Sequence, residues 1–167
     1  MRRVVLVVLV FGAVACSATI QPPSGASPST SAAQSSTPTA TGVVSQNLTF
    51  TGPAAGTLTT AKTECRYFAG STQLNMLLTG SLNGQDLTFN IQVNSGYSGP
   101  GDYPVGSILD DHAANLRLQV GSYVGSSASG AGTLVINPDG KSGALKANLS
   151  GGEHVDGDFA CDRVVQS

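Results

Sequence analysis

The chain predicts an all-β domain, a single antiparallel β-sandwich of about seven or eight short strands behind a disordered N-terminal segment. Three observations carry that expectation. From residue 47 onward, apolar and polar residues alternate with period two. Turn signals recur about every 8 to 12 residues. No ten-residue helical period interrupts them, which argues against a parallel βαβ arrangement. Composition agrees: 21 glycines in 167 residues, 11% charged and 5% aromatic, against roughly a quarter charged in an ordinary soluble domain.

Taken in order, Leu48 and Phe50 alternate with polar neighbours, and Cys65 and Tyr67 do the same within residues 63–68. Leu74, Met76 and Leu78 form the apolar face of the next strand. Asn83-Gly84 is a strong hairpin signal, because both residues tolerate the positive φ that a tight β-turn needs. Leu87, Phe89, Ile91 and Val93 answer on the returning arm. Residues 95–106 are rich in Gly and Pro and read as a loop. Residues 108–114 leave room for a helical turn near Asp110-Asp111. Leu116, Leu118 and Val120 resume the strand pattern; residues 121–130 are mixed. A strand over 132–137 runs into Asn137-Pro138-Asp139-Gly140-Lys141, where Pro presets φ and Gly140 takes the left-handed position. Leu145, Ala147 and Leu149 form the partner face, and residues 155–161 the last strand. The folded domain is thus expected over 47–167.

The first 46 residues read differently. Arg2-Arg3 precede an apolar run over residues 4–15. Twelve residues fall short of the roughly 20 that cross a bilayer as a helix, so residues 1–15 read as a signal peptide. Ala13-Val14-Ala15-Cys16 resembles the lipobox of bacterial lipoproteins, with Ala13 where Leu is commonest. The resemblance implies cleavage before Cys16 and a lipid on its thiol, and several acyl chains at one cysteine make a stable anchor where one is marginal. The alternative is ordinary cleavage, since Ala-Val-Ala is also an A-x-A site; the product is then secreted. Residues 16–46 are nearly all Ser, Thr, Ala, Pro, Gly and Gln. Such a stretch buries too little apolar area to offset its ordering entropy. It reads as a disordered tether with a reach of about 30 Å.

Three cysteines are an odd number for an exported protein. If Cys16 carries lipid, Cys65 and Cys161 are left to form a disulfide that joins an early strand to the last one. Two free buried thiols are the alternative, which suits a reducing compartment.

Setting aside Arg2 and Arg3 leaves six basic against ten acidic residues, a charge of −4. That excludes the basic footprint nucleic acid requires. There is no G-x-S-x-G elbow, P-loop, dinucleotide fingerprint, C-x-x-C or H-E-x-x-H. His112 follows Asp110-Asp111, and His154 lies among Glu153, Asp156 and Asp158. A metal site there would need ligands converging from separate loops, so no metal and no cofactor is expected. Tyr97 and Tyr103, in the Gly/Pro stretch, are the binding candidates. Tyrosine on a loop offers rigid amphipathic contact area; the alternative is that each ring folds back as a lid on the core.

Cys16, the Ser/Thr/Pro tether, Cys65, the terminal Cys161 and the Asp139-Gly140-Lys141 turn together resemble small surface lipoprotein antigens of mycobacteria and relatives. The resemblance implies a surface-displayed β-domain and carries no catalytic residue across. The expectation is a non-enzymatic lipoprotein of the cell membrane. It faces outward, is held by lipid at Cys16, and carries a domain for surface display, adhesion or binding of an unknown ligand or partner. A carrier of a small apolar molecule between the sheets and an enzyme with an unrecognised site are the alternatives.

Overall fold

The computed structural model describes residues 44–68 and 72–166. The signal peptide, Cys16 and most of the tether lie outside the described residues. Ten strands follow in order. These are β1 (Val44–Thr51), β2 (Gly56–Tyr67), β3 (Leu74–Leu82), β4 (Gln85–Val93) and β5 (Gly101–Gly106). Then come β6 (Ala114–Val120), β7 (Tyr123–Ile136), β8 (Ser142–Leu149), β9 (Glu153–Ala160) and β10 (Arg163–Gln166). The only helical element among the described residues is a single turn, Ser150–Gly152.

The all-β expectation holds, but the strands do not form a sandwich. The sheet runs β1-β9-β8-β7-β5-β6-β4-β3-β2, and β1 then pairs with β2, so nine strands close into a barrel with β10 appended outside β2. Sandwich and barrel share the same inside-outside alternation, and closure is decided by one long-range pairing that no local pattern announces. That pairing is made by β1. Leu48 is matched to Leu58 on one side and Gly157 on the other, and Phe50 to Gly56 and Val155. Gly157 makes the approach feasible: it sits at φ +138, and a Cβ there would stand 1.8 Å from the Asn47 carbonyl oxygen.

The hairpin around Asn83-Gly84 is as expected. β3 and β4 pair without interruption from Leu74↔Val93 to Leu82↔Gln85, with Asn83 at φ +52. Three elements differ from the sequence reading. Part of the Gly/Pro loop is strand β5, which pairs with the upper half of β7 and touches β6 at two residues only. Pro104 lies where β6 offers no partner, so its missing N–H leaves no gap in a ladder. Residues 107–112 are a turn and not a helix: Asp110 accepts from the Ser107 N–H at 2.7 Å and the Ser129 hydroxyl at 2.5 Å. Finally, β10 runs parallel to β2, from Arg163↔Glu64 to Gln166↔Tyr67.

The interior is filled by side chains. Leu48, Phe50, Leu58, Leu74, Met76, Phe89, Ile91, Leu116, Leu118, Leu134 and Val155 have at most 1% exposure, and Phe50 meets Phe89 edge-to-face at 5.9 Å. Burial of each large aliphatic or aromatic side chain contributes about 1.5–3 kcal/mol. Ala61, Ala114 and Ala147 alternate with these bulky residues on the inner wall and allow nine strands to curve round a solid core. The outer face carries Asn47, Thr49, Lys62, Arg66, Thr88, Arg117, Gln119 and Lys146, all exposed. This is the inverse of a barrel that crosses a membrane by its strands, which is apolar outside.

The wall forks twice, and a buried polar side chain closes each fork. Where β2 leaves β1 for β10, Gln46 donates to Thr63 Oγ1 and to the Ala160 carbonyl, each at 3.0 Å, and accepts from the Ala160 N–H at 3.0 Å. Where β7 passes from β6 to β5, Ser127 Oγ accepts from the Leu116 N–H at 2.9 Å and donates to the Gly106 carbonyl at 2.6 Å. Just above the first fork, Cys65 and Cys161 are joined, their Cα atoms 5.8 Å apart across 96 residues of sequence. The bond ties β2 to the segment that leads into β10.

Two outcomes follow for stability. Replacing Cys65 and Cys161 together by Ser is expected to remove about 3–5 kcal/mol of unfolding free energy, as for any crosslink over so long a loop; an unshifted urea midpoint would contradict this. Gln46→Ala leaves buried groups of Thr63 and Ala160 unpaired and is expected to cost about 1–3 kcal/mol, measured in the same way against Asn47→Ala as an exposed control.

Candidate functional site

Alternation on β2 puts Tyr67 on the same face as the buried Cys65, turned toward the barrel axis at the end where β1 begins. The loop after β4 brings Tyr97 to that end, held by its N–H on the Thr72 carbonyl at 2.9 Å. Tyr103, on β5, is turned inward and only 5% exposed. The three rings lie in a row across the mouth. Tyr67 and Tyr97 have centroids 5.3 Å apart, and Tyr97 and Tyr103 are stacked at 5.5 Å. The row spans from β2 to β5 and covers the upper end of the core.

Two hydroxyls of the row are tied to backbone groups. Tyr103 donates to the Gly99 carbonyl at 2.5 Å and accepts from the Ser98 N–H at 3.1 Å. Tyr67 donates to the Gly140 carbonyl in the turn between β7 and β8, and the Tyr97 ring lies against the Tyr67 ring. Burial pushes the Tyr97 phenol well above the usual tyrosine range, and the neighbouring Tyr67 adds to the effect. Tyr67 is also raised, mainly by burial, though the neighbouring Tyr97 works the other way.

The turn that receives Tyr67 is itself fixed. Asp139 Oδ1 accepts from the N–H groups of Lys141 and Ser142 at 2.8 and 3.0 Å. These bonds hold the Asp139 carboxyl below its ordinary value, the Lys141 N–H contributing most. The Lys141 carbonyl accepts from the Cys161 N–H at 2.7 Å. Beside the row, Tyr67, Tyr97, Asp139, Lys141, Val164 and Gln166 line a cleft of about 240 Å³.

The sequence-based candidates thus come together, but in altered roles. Tyr97 and Tyr103 are neighbours. Tyr103 is a lid on the core, and Tyr97 borders the cleft. Tyr67 escaped notice as a site residue, because nothing local to β2 says that its ring reaches the 137–141 turn. His112 sits at φ +62 in the β5–β6 turn, packed so tightly on Gly96 that a Cβ there would lie 1.6 Å from its Nδ1. His154 is on the outer wall, 2.9 Å from Asn148 Oδ1 and 4.0 Å from Asp156 Oδ2. Among the described residues no group of three or more His, Cys, Asp or Glu is placed to hold a metal ion. Glu153 is buried at 1% exposure, with Oε2 accepting from the Ala54 N–H at 2.7 Å.

A second depression, about 250 Å³, opens on the outer wall where β7 advances five residues against two on β8. Gly130, Ala131, Gly132, Lys146 and His154 are among its lining residues. It lies on the far side of the wall from the packed interior.

No family model, curated protein or solved structure matches this chain.

The raised phenols set an alkaline limit. A group whose folded pKa exceeds its unfolded value contributes stability that is complete below the unfolded value, about 10 for tyrosine, and is lost as pH rises through the folded one. Wild-type protein is therefore expected to lose stability above about pH 10. Tyr97→Phe should soften that loss in thermal melts taken across the alkaline range. An identical alkaline limb in wild type and variant would contradict it.

Proposed function

We propose that this protein is an extracytoplasmic lipoprotein of the cell membrane, anchored by lipid at Cys16, whose barrel is a non-catalytic module for display or ligand binding. The observation that carries the reading is the cysteine arrangement. With Cys65 and Cys161 joined to each other, Cys16 is the remaining cysteine of three, which lipidation requires. A disulfide between structural elements also suits an oxidising compartment. The polar outer wall fits a domain held away from lipid rather than within it, and Ser/Thr/Pro-rich residues 17–43, which precede β1, supply the length for that.

The binding form of the proposal is favoured by the cleft beside Tyr67 and Tyr97, where aromatic and polar side chains border one concavity. The carrier alternative draws less support: the volume an apolar ligand would need is taken up by Phe50, Phe89, Met76 and their neighbours. The enzyme alternative has no constellation behind it. Lys146, His154 and Asp156 lie in the open on the outer wall, 3.8 and 4.0 Å apart in pairs.

Cys16→Ala tests the anchor. Wild type is expected in the detergent phase of fractionated cells and the variant in the aqueous phase. Wild type already in the aqueous phase would favour plain secretion, and retention of the variant in membranes would overturn lipidation at Cys16.

A further inference from the structure

We propose that the cleft beside the tyrosine row binds one neutral pyranose ring of a glycan. This rests on the ligand-binding form of the function above and names the class of ligand. At about 240 Å³ the cleft falls below the range that holds drug-sized molecules, roughly 300–1,000 Å³. It suits a single ring-sized unit. Its walls are of two kinds. Tyr67, Tyr97 and Val164 are half-buried and offer apolar surface. Gln166 and Lys141 are exposed and offer an amide with both donor and acceptor and an ammonium donor. A pyranose has the matching pair of surfaces, an apolar face of C–H bonds and a rim of hydroxyls that both give and accept hydrogen bonds.

Charge narrows the class. Asp139 and Lys141 are the two charged residues that line the cleft, and their formal charges cancel. An anionic or cationic ligand would gain from one and lose to the other, whereas a neutral polyol is indifferent to the sum. Asp139 is also committed. Its oxygens accept from Lys141, Ser142 N–H and the Ser142 hydroxyl, so it fixes the turn rather than serving as the principal acceptor. Tyr97 has an aromatic neighbour in each of the other two tyrosines. Tyr67 lines the cleft at the end of the row, with Tyr97 as its aromatic neighbour, and it is the ring we assign to the apolar face of the sugar.

The walls are already fixed before any ligand arrives. Tyr67 is bonded to the Gly140 carbonyl, Lys141 is tied to Cys161 through the backbone, and β10, which carries Val164 and Gln166, is paired along β2. Little ordering remains to oppose binding, which matters most for a weak ligand.

The test uses the full-length protein in detergent and a panel of neutral oligosaccharides built on glucose, galactose, mannose and N-acetylglucosamine. An acidic oligosaccharide and a neutral peptide serve as comparisons. Saturation-transfer NMR and calorimetry are expected to show at least one neutral saccharide binding with Kd about 0.1–10 mM. Gln166→Ala and Lys141→Ala should each weaken it about fivefold, the loss of one hydrogen bond, with unchanged Tm. Both positions lie outside the tyrosine row, so folding is preserved. No binding across the neutral panel overturns the proposal, as does tighter binding of the acidic sugar or the peptide. Binding that neither substitution weakens overturns the assignment to this cleft. Running Cys16→Ala in parallel separates the two proposals: loss of the anchor leaves saccharide binding unchanged, and failure to bind sugar leaves the fractionation result standing.

Discussion

Closure of the barrel depends on β1 being hydrogen-bonded along both edges at once. Leu48, Thr49 and Phe50 each have a partner on β2 and another on β9, so three residues join the first hairpin of the domain to its last. Without them the remaining strands would be an open sheet with two long free edges and a core exposed along one side. The disulfide reinforces the same junction from above, because it links β2 to the chain leaving β9. Gln46 seals the place where the two pairings diverge. Backbone, side chain and covalent bond thus converge on one seam, which involves residues about a hundred positions apart in sequence.

Much of the wall is written in the sequence. The hairpin at Asn83-Gly84, the turn over 137–141 and the inward faces of Leu116–Leu118–Val120 and Leu145–Ala147–Leu149 follow from alternation and turn chemistry alone, and the disulfide from counting cysteines. What was hidden shares one physical character: it depends on partners distant in sequence. The seam at β1 needs Gly157 to be glycine, and nothing near Gly157 says why. β5 looks like a loop because Gly101, Pro104 and Gly106 are turn formers; it becomes a strand because the upper half of β7, paired with β8 on one edge, would otherwise lack a neighbour on the other. β10 is too short to show a period. In the same way the sequence pointed to Tyr97 and Tyr103 but not to Tyr67, whose part is set by a turn some seventy residues away.

The tyrosine row both caps the core and borders the cleft. Tyr103 is committed to the core, Tyr97 is held between two rings, and Tyr67 reaches across to the opposite wall. An aromatic cap is an economical way to finish a barrel whose interior is aliphatic. Each ring covers a large area with few rotatable bonds, and the hydroxyls of Tyr67 and Tyr103 satisfy carbonyls at the rim. The raised phenol pKa values are the electrostatic mark of that burial. The cleft exists because the cap, the 137–141 turn and β10 meet at one corner.

The closed seam has a further consequence for how copies of the protein behave together. Exposed strand edges are the usual template for unwanted pairing between chains. Here the wall offers almost no template. Among the described strands, the outer edge of β10 is the one left open at the end of the sheet order. It is four residues long and begins with Arg163, whose guanidinium is bonded to Glu64. A short edge with a charge at its first position is a poor seed for aggregation between copies.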